Sequence, residues 1–343
     1  MMGSNQLSLE GPDASEPLTL TVLGCGTMGI AILSGILASL QELQGPRPLQ
    51  TPSSGTSTPL LEELPIRLPS RFIACVRRPE SAKKVKSALW EHSSVLKVVQ
   101  EGNVAAVQQS EVVLLACKPQ MAKEILGEAE MAAALHGKLL ISICAGVTVD
   151  QIEGFLHGNV SGQDPADVDP DRCRIVRAMP NTASLIRESM TVIATTTPPL
   201  PPAVSSLVTW IFKRIGDVVF LPPHTMDAST ALCGSGPAFF ALMLEAAIDG
   251  AVAMGLPRAE AQRMAAQTMR GAAGLVLHGD HPALLRDKVS TPGGCTIGGL
   301  LVLEEGRVRG TVARAVREAT VVASQLGKGV QGVNGTRFGP GFA

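Results

Sequence analysis

Charge is in short supply in this chain. Asp, Glu, Lys and Arg make up 17% of its 343 residues and the formal net charge is -1, where an ordinary soluble domain is roughly 25% charged. Such a balance lacks the basic face needed to grip nucleic acid or an anionic membrane. The partner to expect is therefore a small-molecule substrate, with no nucleic acid and no membrane. Hydrophobic residues reach 45%, so part of the surface is expected to be covered by another subunit, in a homodimer or higher homo-oligomer.

Paired cysteines and metal-binding spacings are missing too. Cys25, Cys75, Cys117, Cys144, Cys173, Cys233 and Cys295 are scattered with no C-x-x-C among them, the usage of a reducing compartment and not of a disulfide scaffold. The histidines form no H-E-x-x-H or related pattern, so no metal is expected. The first residues, MMGSNQLSLEGPDASEP, hold acids and no Arg or Lys, unlike a transit peptide, and no apolar stretch of the signal type. A cytoplasmic location is the expectation.

The length suits about two domains. Apolar residues from Leu18 to Leu23 stop at GCGTMG (24–29), and IAILSGILASLQEL then follows with helical spacing. RFIACV, EVVLLACKP, KLLISICAG, CRIVRAM and MTVIATT read as further strands, with helical patterns between several of them. Strands alternating with helices predict βαβ units and a parallel sheet. From about Pro201 onward every segment reads as helix. The expected class is α/β, a Rossmann-like dinucleotide-binding domain over 18–200 followed by an all-helical domain over 201–327. Residues 1–17 are expected to be a disordered tail, 45–68 and 157–171 polar inserts, and 328–343 a flexible glycine-rich end.

PAFFALMLEAAIDGAVAMGL has nearly the length and apolarity of a membrane span. Glu245 and Asp249 lie within it, and each would be costly in mid-bilayer. A helix buried at the centre of an oligomer fits better, with the two acids forming its polar seam and not a catalytic pair.

The glycine motif follows a strand and opens a helix, the context a dinucleotide site requires. Gly24 permits the tight turn, Gly26 lets the backbone approach a pyrophosphate, and Gly29 lets the helix pack closely. Cys25, Thr27 and Met28 complete the turn, and the helix N-terminus faces the anion. After the second strand, where an acid would accept the ribose 2′-OH of NAD, the chain has Arg77 and Arg78 in CVRRPE. Guanidinium groups suit a 2′-phosphate, so NADPH is the expected cofactor, with NADH as the other choice. Cys117, Lys118 and Pro119 end a later strand at the edge where ligands bind. Cys144, Ala145 and Gly146 do so on the next, and are small enough for a nicotinamide to lie against them.

GCGTMG, ACKP, CAGVT, RAMPNT, GSGPAF and above all LLRDKVSTPGGCTIGGLLVLE (284–304) together resemble the pyrroline-5-carboxylate reductase family, over nearly the whole chain apart from tails and inserts. The resemblance implies a dinucleotide-binding domain followed by a helical dimerisation domain, two copies of which interlock, and reduction of 1-pyrroline-5-carboxylate to L-proline by hydride transfer to the C=N carbon. It implies that residues 290–296 form an anion site for the substrate carboxylate, with Val289, Ser290, Gly293, Gly294 and Cys295 lining the pocket. Thr296 would be the catalytic hydroxyl nearest the ring nitrogen. It equally suits a first-turn threonine bonding its own backbone.

The resemblance also brings Asn103 toward the adenosine and Asn181 toward the nicotinamide. A helix cap and a turn former are their respective plain readings. Lys288 would contact the cofactor phosphate or the substrate carboxylate, or else be a solvated helix lysine. The first insert is longer than the family needs. A reductase of another cyclic imine or of a 3-hydroxy acid is the alternative activity, and a non-catalytic NADPH-binding regulator is a third.

Overall fold

The computed structural model describes residues 17–44, 64–158, 172–328, 330, 333, 335 and 336. The expected tails at 1–17 and 328–343 and the inserts at 45–68 and 157–171 lie wholly or largely outside them. The chain divides into two compact units, Met1–Gly234 with Ala323–Val333, and Ser235–Val322 with Asn334–Ala343.

The first unit is built on eight strands: β1 (Leu18–Leu23), β2 (Pro69–Val76), β3 (Leu96–Gln100), β4 (Val112–Leu115), β5 (Leu139–Ser142), β6 (Arg174–Met179), β7 (Ser189–Ala194) and β8 (Gly216–Leu221). Their order across the sheet is 3-2-1-4-5-6-7-8. All neighbours are parallel except β6 and β7. Helices α1 (Thr27–Gln44), α2 (Pro79–Ala88), α3 (Asn103–Gln108), α4 (Ala122–Leu126), α5 (Met131–Leu135), α6 (Val149–His157), α7 (Pro202–Lys213) and α8 (Met226–Ser229) complete it.

Both faces of the sheet are covered, which explains why its central strands read as unbroken apolar runs and not as alternations. Phe72, Ala74 and Val76 of β2 face one core with Ile32, Ile36 and Phe212. Ile73 and Cys75, the residues between them, face a second core with Ile125, Met131 and Leu135. Local signals start the helices where they begin. Thr148 and Gln151 form a reciprocal capping box for α6, and Pro79 and Pro202 occupy first-turn positions that need no N–H donor.

Two expectations change here. The segment from 201 onward is not wholly helical: α7 leads into β8, and the first unit extends to Gly234, not to residue 200. β3 and β8 were not legible as strands, and they are the two edges of the sheet. An edge strand has a neighbour on one side only and its residues are less fully buried, so the apolar run shortens and breaks. Lys97 interrupts β3, and Val219 and Phe220 of β8 remain partly exposed.

The second unit consists of α9 (Gly236–Ala253), α10 (Arg258–Leu277), α11 (Pro282–Val289), α12 (Cys295–Glu305) and most of α13 (Val308–Gly327). Among its described apolar side chains only Ile248 and Ala261 are buried. The helical run Pro223–Ala253 is long and apolar enough to cross a membrane, with a mean hydropathy of 1.6. Its Glu245 and Asp249 are exposed, and Asp249 pairs with Arg258 at 2.9 Å.

Candidate functional site

A cleft of about 960 Å³ opens at the carboxyl ends of β1, β2 and β4, where the strand order reverses. Every residue that lines it belongs to the first unit. Gly24, Cys25, Gly26, Thr27 and Met28 form one wall. Gly24 has φ +74°, and a Cβ there would lie 2.6 Å from Cα and Cβ of Cys117. Only glycine can make this turn. At Gly26 the nearest atom to an added Cβ is 3.9 Å away, so its backbone stands bare toward the cleft. Gly29 does not line the space; a Cβ on it would press on Val22 at 3.0 Å and on the Cys25 sulfur at 3.2 Å, so its role is helix packing. The three glycines thus divide the work as the motif requires, and the turn fits a pyrophosphate.

The far wall carries charge. Arg77 and Arg78 both line the cleft and are exposed. Arg78 also sits at the N-cap of α2, although its side chain makes no capping bond. Lys84 joins them, with Nζ 3.3 Å from Oγ1 of Thr27. Sequence reasoning missed Lys84, because one lysine in AKKVK looks like its neighbours until the helix is laid against the glycine turn. Acids line the same wall. Glu124 lies 3.8 Å from Arg77, and Glu128 accepts a 2.5 Å hydrogen bond from Nδ2 of Asn103. The N-cap of α3 is Gly102, so Asn103 is not that cap; its amide reaches across the cleft wall instead.

Cys117 and Lys118 line the third side, and Pro119 opens a short 3-10 turn just beyond them. Ala145 is exposed but outside the lining. Gly146 beside it has φ +75° and packs on Gly327. Asn181 is also outside the lining. Its Oδ1 accepts from the Ala183 amide at 3.0 Å and its Nδ2 donates to the Cys233 carbonyl at 3.0 Å, so one end of the side chain serves the turn and the other ties it to the segment Thr230–Gly234. Cys25 and Cys75 are buried in the floor, and burial pushes each thiol up to about 12.

The remaining candidates lie in the second unit. Val289 ends α11, Ser290 donates to the Arg286 carbonyl at 2.8 Å, and the chain turns at Gly293 with φ +68°. Gly294 is the N-cap of α12, followed by Cys295 and then Thr296. A glycine cap has no side chain to satisfy the first helical N–H groups. Those groups, with the positive end of the helix dipole, suit a carboxylate. Thr291, absent from the sequence-based set, accepts on its carbonyl a hydrogen bond from the Gly294 amide at 3.0 Å and packs so closely that a Cβ on residue 294 would meet its hydroxyl. Lys288 is exposed, and its ammonium binds Asp280 at 2.8 Å. Among the described residues no cluster of three or more His, Cys, Asp or Glu is placed to hold a metal.

Comparison with known proteins bears on both units. The family model described as pyrroline-5-carboxylate reductase dimerisation matches residues 223–326. One described as NADP oxidoreductase, coenzyme F420-dependent, matches residues 58–146. Pyrroline-5-carboxylate reductase of Lophium arboricola is 69% identical over 324 residues, covering 94% of this chain and 97% of the relative. The Neurospora crassa enzyme of that name is 59% identical over 341 residues, 94% of this chain and 98% of the relative. The solved structure of a pyrroline-5-carboxylate reductase from Coxiella burnetii superposes with a TM-score of 0.70 at 27% identity, covering 91% of this chain and 99% of that one.

Proposed function

The chain belongs to the pyrroline-5-carboxylate reductase family, is an NADP(H)-dependent oxidoreductase of proline biosynthesis, and we propose a division of labour between its residues. Its substrate is a small molecule, 1-pyrroline-5-carboxylate, and its assembly is homodimeric. The observation that carries the cofactor reading is the cleft itself, a bare glycine turn at one wall and Arg77, Arg78 and Lys84 at another. Gly24, Gly26 and the start of α1 hold the pyrophosphate, while the three cations hold a 2′-phosphate and favour NADPH over NADH. Asn103 and Glu128, already bonded to each other, hold the adenosine side.

The bound nicotinamide supplies a hydride to the C=N carbon of the imine. The chain's own part is to orient and to protonate. The N–H groups at the start of α12 fix the substrate carboxylate, with Val289, Ser290, Gly293, Gly294 and Cys295 shaping the pocket. The Thr296 hydroxyl bonds the ring nitrogen, helping to keep it protonated and therefore electrophilic. Fixed dipoles need no reorganisation as charge shifts, so orientation contributes directly to rate. Lys288 is held by Asp280, and no step requires it. We place the enzyme in the cytoplasm, in keeping with its unpaired cysteines.

NADPH oxidation followed by absorbance tests this directly. Turnover with the five-membered imine acid should exceed that with the six-membered homologue, and NADPH should be preferred to NADH. Replacing Thr296 by Val should lower kcat about 100-fold with KM for NADPH unchanged. Full activity in that variant, with loss of activity on replacing Lys288, would point instead to a hydroxy-acid type of reductase.

A further inference from the structure

The cofactor reading leaves Cys117 and Cys144 without an explanation as a pair. β4 and β5 are parallel neighbours, with Leu115 opposite Ser142. Each cysteine lies two residues beyond that last pair, so equal offsets keep them abreast. Strand spacing of about 4.8 Å falls inside the backbone separation of roughly 4.4–6.8 Å that a disulfide spans. Their sulfurs are 3.7 Å apart. Cys144 Sγ also faces the carbonyls of Cys117 and Leu115, at 3.4 and 3.7 Å. Cys117 lines the cofactor cleft, and Cys144 is buried behind it.

The hydrogen bond between the two thiols acts on them in opposite directions. A hydrogen bond from Cys117 draws Cys144 below the ordinary thiol range, helped by the Ser142 hydroxyl and against its burial, while the same bond and burial raise Cys117. Cys25 and Cys75, raised by burial, have no such sulfur partner among the described hydrogen bonds.

We propose that Cys117 and Cys144 are a modification site, oxidised by a hydroperoxide to a reversible disulfide in the cofactor cleft that shuts it to NADPH. The chemistry balances as two thiols and one peroxide giving one disulfide and two waters. Cys117, which the peroxide meets first, attacks a peroxide oxygen while its own proton goes to the departing hydroxide. The O–O bond breaks, leaving a sulfenic acid on Cys117 and the first water. Cys144 then attacks that sulfur, the S–S bond forms, the S–O bond breaks, and its proton leaves with the hydroxide as the second water. Bringing the sulfurs to about 2.05 Å requires Cys117 to turn. Cys117 is the residue against which the Gly24 turn is packed without space, so the turn that receives the pyrophosphate is disturbed. NADPH in the cleft covers Cys117 and protects it. Disulfides of reducing compartments are commonly of this transient, sensing kind.

The blocking effect rests on the cofactor reading; formation of the bond does not. The test treats the full-length protein with hydrogen peroxide, caps free thiols with N-ethylmaleimide, and maps peptides by mass spectrometry beside NADPH titration by fluorescence. A peptide linked through Cys117 and Cys144 is expected, with NADPH affinity lowered by at least about tenfold, recovery on adding dithiothreitol, and slower linkage under saturating NADPH. In Cys144→Ala, peroxide should leave NADPH affinity at that variant's own untreated value; in Cys295→Ser the linked peptide should still form. Oxidation of other cysteines while this pair stays free would overturn the proposal, as would a linked peptide with unaltered NADPH binding. Absence of NADPH binding before any oxidation would instead remove the cofactor reading, and the linked peptide would still decide the bond.

Discussion

The two units solve the burial problem in opposite ways. In the first, a sheet covered on both faces closes two cores within one chain: Leu20, Val22, Leu114 and Ile141 are wholly buried. In the second, Leu242, Met254, Leu277 and Val302 are 67, 85, 82 and 66% exposed. Scattered exposed leucines are ordinary, but contiguous apolar helices mark a surface made for a partner. The exposed apolar side chains of the helical unit are thus what a second copy covers, completing its core. Its membrane-like helix makes the same point, since an oligomer interface and a bilayer demand similar compositions and differ in how they tolerate Glu245 and Asp249.

The contrast predicts that the units fail differently. The largest effect is expected from charging the second, as in Leu301→Glu combined with Val302→Glu. Each unpaired buried charge costs several kcal/mol, so light scattering should report monomers and turnover should vanish while NADPH still binds. A dimer that survives both charges would show that this part of α12 faces solvent. Within the first unit, Gly24→Ala combines a left-handed backbone with a clash against Cys117; about 3 kcal/mol of stability should be lost, together with NADPH binding. Gly26→Ala meets nothing nearer than 3.9 Å, so its melting temperature should stay near the parent value while NADPH affinity falls. Equal destabilisation by the two changes would refute the packing account.

Arg78→Ala should raise KM for NADPH by roughly 10- to 100-fold, the worth of a charge-assisted hydrogen bond, with KM for NADH unchanged. The smallest effect is on alkaline stability. Cys25, Cys75 and Cys173 are raised from 9.0 to about 12 by burial, so the folded chain keeps protons that the unfolded chain releases. Their contribution is complete below pH 9 and lost as pH rises toward 12. Denaturant midpoints measured between pH 8 and 11 should fall, whereas a flat profile would mean these thiols ionise as freely in the folded chain.

Legibility followed burial. β1, β2, β4 and β5 were readable because both faces are covered and their apolar runs are continuous; β3 and β8 were not, because an edge strand lacks a neighbour on one side, is only partly buried and admits polar residues such as Lys97 and Asp217. The glycine turn was readable since its spacing is itself the geometry, and so was the pair Arg77 and Arg78 at the end of a strand. Lys84, Glu124 and Glu128 were not, as their place in the cleft depends on how α2 and α4 lie against the sheet. Asn103 and Asn181 each offered a cofactor-side reading and a plain one, and only the fold gives their partners: the first bonds across the cleft wall to Glu128, and the second joins the Ala183 amide to the Cys233 carbonyl.

By itself the sequence determined the α/β class, the glycine turn, the arginine pair after the second strand and the family signature around Thr296, all of which are local patterns whose meaning lies in neighbouring residues. The tertiary structure alone decided that the first unit runs on to Gly234, that Lys288 is tied to Asp280, and that Cys117 and Cys144 stand sulfur to sulfur. Those facts join residues far apart in the chain, or depend on which faces of a helix and a sheet meet. Packing sets them, and no local spacing records it.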